Sequence, residues 1–301
     1  MNTIYRVLQI SKQSFHQRVD RYIAKQQEKE QLKVVIRKIR EDHPMMGARD
    51  LYRLICPEQM GRDQFEQFCF AEGFRVKRPK KFQKTTNSYG VTRFDNLIEG
   101  LEVTRVNQVW VSDITYYYLG ERFYFLTFIM DLFTRRIVGF SSSRTLRTED
   151  TTIPALKMAI MQRKGVNLKG LILHSDGGGQ YYCKTFLEIT GKEEILNSMC
   201  ETVFENPHAE RLNGIIKNNY ITHYNPHTYS ELERATRKAV SMYNSQKPHA
   251  SLKGLSPIKF EQIISKKNCN IESENNSSSY FPHSTLTTTV KIIKKNEFCL
   301  T

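Results

Sequence analysis

Three carboxylates stand out by the elements that carry them. Asp113 lies inside QVWVSDITYYYL, a run whose alternation predicts a half-buried strand. Asp176 closes the apolar run GLILH and precedes Gly177, Gly178 and Gly179. Glu210 falls in ENPHAERLNGIIKNNY, which predicts an amphipathic helix. Carboxylate oxygens gathered in one place hold hard divalent cations, and two such ions roughly 4 Å apart are suited to attack on a phosphodiester. A donor set made only of oxygen suits Mg²⁺, with Mn²⁺ as substitute, rather than Zn²⁺.

Each position has its own argument. Asp113 shares its strand parity with Val109, Val111 and Thr115, whereas Trp110, Ile114 and Tyr116 share the other. A lone charge on a valine face is costly, so Asp113 needs a partner. Asp176 sits at the carboxyl end of an apolar strand, where open α/β sheets place their ligands, and the glycines after it clear room for a backbone or a phosphate. Asn206 is placed to cap the helix of Glu210, and Pro207 suits its first position. On that helix Leu212, Ile215, Ile216 and Tyr220 form one side, and Glu210, Asn213, Gly214 and Lys217 the other. Asn219 falls among the apolar residues and breaks the pattern. His174, two residues before Asp176, either orients substrate or is a satisfied core histidine, and Asn213 is a second substrate-orienting candidate on the polar stripe.

The elements that must position these residues follow from periodicity. ERFYFLTFIMDLF and RRIVGFSSS add two strands after that of Asp113, in an antiparallel meander. A helix through TEDTTIPALKMAIMQRK, the strand GLILHSD, a helix through CKTFLEIT and a strand in EILNSM come next. Two helices, about 207–222 and 229–244, close the core. The order predicts an α/β fold: a mixed, ribonuclease-H-like sheet with helices on both faces, over 107–264. Residues 1–74 read as a small helical domain. Ser11 caps a first helix, and a second, amphipathic one carries Leu32, Val35, Ile36 and Ile39. The short pair ARDLYRLI and RDQFEQFCFAE then has the layout of a helix-turn-helix, which serves either DNA contact or structure alone. Residues 75–106 read as a basic linker, and 265–301, with SENNSSS, as a polar flexible tail.

Composition points to the same partner. The 301 residues carry a net charge of +14. With 19 basic against 10 acidic residues, positions 1–90 hold +9 of it. Arg75, Lys77, Arg78, Lys80, Lys81 and Lys84 form a run of one sign, which fits a nucleic-acid contact as well as a solvated segment. The six cysteines lack CxxC or finger spacing, so reduced thiols are expected and a zinc site is not. Neither a leader nor a span of about 18 apolar residues is visible, so the expectation is a cytoplasmic, DNA-associated protein without membrane contact.

The segments NQVWVSDITY, FLTFIMDLFTRRIVGFS, LILHSDGGGQYY, ENPHAERLNGIIKNNYI and YNSQKPHASLKGLSP resemble, in order, the signatures of bacterial transposases of the insertion-sequence-three family, OrfB-type. That resemblance covers 107–260, and 1–85 more loosely. It implies a retroviral-integrase-like core with Asp113, Asp176 and Glu210 as an Asp-Asp-Glu triad on two Mg²⁺. Lys217 would hold DNA near the site, and Tyr243, Asn244, Lys247, Pro248 and His249 would form the closing motif by the DNA backbone. The 33 residues between Asp176 and Glu210 are slightly fewer than the family's usual interval. It further implies 3′-end cleavage and strand transfer on double-stranded DNA, a homo-oligomer on DNA, and fusion or partnership with the upstream-frame OrfA product. A DNA-binding regulator on an inactive core, or a ribonuclease-H-type nuclease, are the alternatives.

Overall fold

A computed structural model describes residues 9–76, 94–200 and 206–266, together with Tyr5 and Val7. The chain begins with α1 (Lys12–Asp42), α2 (Ala48–Ile55) and α3 (Arg62–Ala71). Ser11 caps α1 as its sequence predicts, its hydroxyl accepting from Ser14 N at 3.1 Å. The two helices expected between Ser11 and His43 are one continuous helix, because nothing between Gln26 and Leu32 breaks the i→i−4 ladder. Leu32 and Ile36 are its buried residues and pack with Leu51, Phe65 and Phe68 of α2 and α3, while Val35 stays exposed.

The sheet comprises β1 (Val109–Leu119), β2 (Arg122–Asp131), β3 (Ile137–Ser143), β4 (Ile172–Ser175) and β5 (Leu196–Met199). Their order is β3-β2-β1-β4-β5, with β1, β2 and β3 antiparallel and β4 and β5 parallel to β1. A meander followed by parallel crossovers is the ribonuclease-H-like arrangement. The two faces carry separate cores. On one, Trp110, Ile129, Val138 and Leu173 pack against α4 (Thr152–Gln162) and α5 (Lys184–Lys192). Gly139 permits that approach, since a Cβ there would lie 2.1 Å from Ala155 O. On the other, Val109, Val111, Leu126 and Phe128 meet α6 (Pro207–Ile216) and α7 (Tyr229–Ser245).

Beyond Ile216 the helix of α6 widens into a π turn, Lys217–Ile221. The inserted turn buries both Tyr220 and Ile221, and it accounts for the misfit of Asn219, because the strict 3.6-residue period ends there.

Residues 94–106, expected to be linker, pack onto the sheet-bearing part instead. Leu97 N donates to Ser198 Oγ (2.9 Å), and Ile98 and Val103 join the core beneath α6 and α7. The helical and sheet-bearing parts belong to one compact unit, Met1–Glu261. Residues from Gln262 on form another, of which 262–266 are described and helical. No helix among the described residues is long and apolar enough to cross a membrane.

Candidate active site

Asp113 lies in the middle of β1, opposite Phe128 of β2, and two residues beyond Val111, which pairs with His174 of β4. It is half-buried on the face that receives α6. The start of α6 is fixed to the same strand: Asn206 Nδ2 donates to Ser112 O at 3.0 Å. That use of Asn206 replaces the expected cap, for its side chain makes no capping bond to the helix, although Pro207 does occupy the first turn. About two turns further, Asn213 Nδ2 donates to Asp113 Oδ2 at 2.7 Å. Lys217 Nζ then reaches Thr115 Oγ1 (3.3 Å) and Tyr116 O (3.2 Å), and stands 5.4 Å from the Tyr116 ring centroid. The polar stripe of α6 is thus laid along β1 from Asp113 to Tyr116. Glu210 is exposed in the first turn of α6, three residues ahead of Asn213 and therefore on its side of the helix.

Asp176 follows β4 directly and is exposed. Its Oδ1 accepts from Gly178 N at 3.2 Å. Gly177 has φ +77°, and a Cβ there would lie 2.7 Å from Met199 Sδ, so the turn that presents Asp176 favours glycine at that position. Behind both aspartates, buried Tyr181 shares a hydrogen bond with Ser112 Oγ (2.9 Å). Its hydroxyl is pushed well above the usual tyrosine range, first by burial and then by the negative charges of Asp176 and Asp113. Both carboxylates therefore act on one point beneath the site.

The three carboxylates are not gathered into a cluster: among the described residues no three His, Cys, Asp or Glu side chains stand close enough to hold a metal ion. Asp113 is engaged by an amide, and the other two face solvent, as uncompensated like charges favour. The donors nevertheless fit a hard cation in kind. They are all oxygen, and Asn213 Oδ1 beside Asp113 is a buried acceptor with no hydrogen-bond partner among the described residues.

Residues 103–203 and 200–257 each match a family described as an integrase core domain. Over 254 residues the chain is 30% identical to the insertion element IS600 uncharacterized 31 kDa protein of Shigella sonnei, covering 82% of this chain and 91% of that one. It is also 30% identical to the transposase InsF for insertion sequence IS3A of Escherichia coli (strain K12), over 63% of this chain and 67% of that one. The chain belongs to the IS3 family of insertion-sequence transposases. Among solved structures, the HTLV-2 integrase catalytic core domain in complex with magnesium is 24% identical, with TM-score 0.41, and spans 51% of this chain and 95% of that one.

The remaining candidate residues of this IS3-family chain differ in exposure. His174 is fully buried, its Nδ1 3.0 Å from Ser198 Oγ, which is the place of a core histidine and out of a substrate's reach. Lys247 is turned inward and pairs with Asp50 at 3.6 Å; burial, its largest influence, lowers its pKa. Tyr243 and Asn244 of the closing motif are also buried, and Asn244 exchanges two 2.9 Å bonds with the Ile137 backbone. Arg75 is exposed, 5.4 Å from the Phe70 ring centroid. Lys77, Arg78, Lys80, Lys81 and Lys84 lie outside the described residues. Sequence reasoning missed Asn206 and Tyr181 as positioning residues. The signal for Tyr181 was an aromatic two positions after the last of the three glycines, and for Asn206 the signal favoured a cap.

Proposed function

We propose that the chain is the Asp-Asp-Glu polynucleotidyl transferase of its element, cutting DNA to free 3′ ends and joining them to a target. The observation that carries this reading is the docking of α6 on β1 through Asn213 and Asp113, which brings the helix of Glu210 to the strand of Asp113. Asp113, Asp176 and Glu210 are the residues that would hold two Mg²⁺ ions, or Mn²⁺ in their place. Such a pair supplies, when bound, activation of the attacking oxygen and stabilisation of the leaving oxygen. Asn213 holds the Asp113 carboxylate in one orientation, as a supporting amide should. Lys217, drawn over Tyr116, offers its ammonium to a backbone phosphate along the same stripe.

In the first step a water oxygen bonds to phosphorus at the element's end and the 3′ oxygen leaves as a hydroxyl. In the second, that hydroxyl bonds to a target phosphorus and displaces another 3′ oxygen. Arg75 and the basic run after it, together with Lys217, would bind double-stranded DNA through phosphates, with affinity that falls steeply as salt rises. The OrfA product and further copies of this chain are the partners expected on the DNA.

Purified Asp113→Asn and Glu210→Gln are expected to lose Mg²⁺-dependent cleavage of end-containing duplex DNA while binding that DNA nearly as before. Cleavage retained by either variant refutes the assignment.

A further inference from the structure

On the opposite shoulder of α6 is a second polar site, which the three carboxylates do not share. At about 100° per residue, His208, Arg211 and Ile215 lie roughly 160° round the helix from the stripe of Glu210, Asn213 and Lys217. There they border a cavity of about 350 Å³, within the range that small ligands occupy. Its polar lining carries three cationic side chains, Arg135, Arg211 and Lys247, beside His208, His249, Tyr243 and Ser251. Asp50 is the one acid, and its carboxylate already engages Arg53 (2.9 Å) and Lys247 (3.6 Å). Met130, Leu212, Ile215 and Pro248 supply an apolar wall.

The cations are held there against their own preference. Arg135 adopts a left-handed backbone at φ +60°, a conformation strained for a non-glycine residue. The turn before it is pinned by Asp131, which accepts from Phe133 N (3.0 Å) and Thr134 N (2.8 Å). Arg135 Nη1 then lies 2.9 Å from His208 Nδ1. Arg211 is exposed at the rim and makes no ion pair among the described residues. Burial lowers the pKa of Arg135, His208 and Lys247, and Arg211 adds to the lowering in each. His249 is pushed down to about 3, first by burial and then by Lys247, Arg135 and Arg211. Arg135 and Arg211 thus share one concave surface whose lining acid, Asp50, is already engaged by Arg53 and Lys247, an arrangement that an anion brought from outside relieves.

We propose that this cavity is a second nucleic-acid site, taking one backbone phosphate of a DNA strand between Arg135 and Arg211, with the adjoining sugar against the apolar wall. It rests on the reading that the chain acts on DNA, but it requires neither the carboxylates nor a metal. The test therefore uses the full chain in EDTA, where cleavage is silent. Binding of a short DNA duplex is measured across a salt series for the wild type, Arg211→Gln, Arg211→Lys and Arg234→Gln, the last an exposed cation on α7 away from the cavity. Inorganic phosphate binding is followed in parallel by calorimetry.

Arg211→Gln is expected to reduce the slope of log K against log salt by about one, with Arg211→Lys restoring it and Arg234→Gln leaving it unchanged. Inorganic phosphate should bind the wild type and not Arg211→Gln. An unchanged slope in Arg211→Gln overturns the proposal. Phosphate binding that depends on Arg211 without any change in slope overturns it too, marking a site for a free anion instead. Loss of cleavage in the carboxylate variants is scored separately, in Mg²⁺, so failure of one reading is not failure of the other.

Discussion

Asp113 and Asp176 depend on neighbours that fix their presentation, and those neighbours can be tested individually. Gly177 holds both a positive φ and a near-contact with Met199. Gly177→Ala is therefore expected to cost about 1–3 kcal/mol, seen as a lower denaturant midpoint with an unchanged m-value. Asn213 donates a 2.7 Å side-chain bond to the Asp113 carboxylate. Asn213→Ala should leave folding within about 1–2 kcal/mol of wild type and lower the rate of end cleavage about tenfold or more, in line with loss of a supporting shell. A rate like that of wild type would mean the amide has no part in placing Asp113. Alternation in QVWVSDITY sufficed to put Asp113 with Val109 and Val111, because side-chain direction in a strand has period two whatever lies opposite. The amide across from it was legible only as one member of a polar stripe.

At the scale of elements, α6 and its π turn link the site to the helical part. Lys217 ends the stripe on β1, and three residues later Tyr220 OH meets His43 Nδ1 at 3.0 Å. The wider turn lets one helix serve both contacts. Deletion of Asn218 should return the turn to α-helical geometry, shift Tyr220 relative to His43, and destabilise the protein by about 2–4 kcal/mol. Thermal unfolding and faster proteolysis between the helical part and the sheet would report it, and wild-type behaviour would show that the π turn carries no such constraint. Strand and helix positions were largely visible in the sequence, since each is set by a local hydrophobic period. The unity of α1 and the π turn were not. The first depends on the absence of any breaker over many polar residues, and the second on a burial demand made by partners distant in sequence.

Across the whole molecule, the helical part is held to the core by polar contacts that run from buried to exposed. Tyr224 OH donates to Asp42 O (2.6 Å), Lys238 pairs with Asp42 (2.8 Å), and Lys247 with Asp50 (3.6 Å). His43, 1% exposed, lies between Tyr220 OH and Gln246 Oε1. Burial lowers the His43 pKa, outweighing the Gln246 bond. The folded state therefore favours neutral His43. Its contribution is fully present above the unfolded value of about 6.5 and is lost as pH falls through the lower folded value. Urea unfolding at decreasing pH should show stability falling by at most about 1.4 kcal/mol per pH unit for this one proton. His43→Gln should flatten that dependence; a slope identical to wild type would remove His43 from the account.

The sequence by itself determined which residues share a face: the three carboxylates on their strand, strand end and helix, the apolar sides that pack beneath them, and the motifs that carry the family. Those properties are local, fixed by backbone geometry within a few residues. Only the tertiary structure decided what each face meets. It set Asn213 on Asp113, a hundred positions away, turned Lys247 inward to Asp50, buried His174 and Asn244, and collected Arg135, Arg211 and Lys247 around one cavity. A hydrophobic period says that a helix has two sides. It does not say which side faces which neighbour, because that is fixed by packing among segments far apart in the chain.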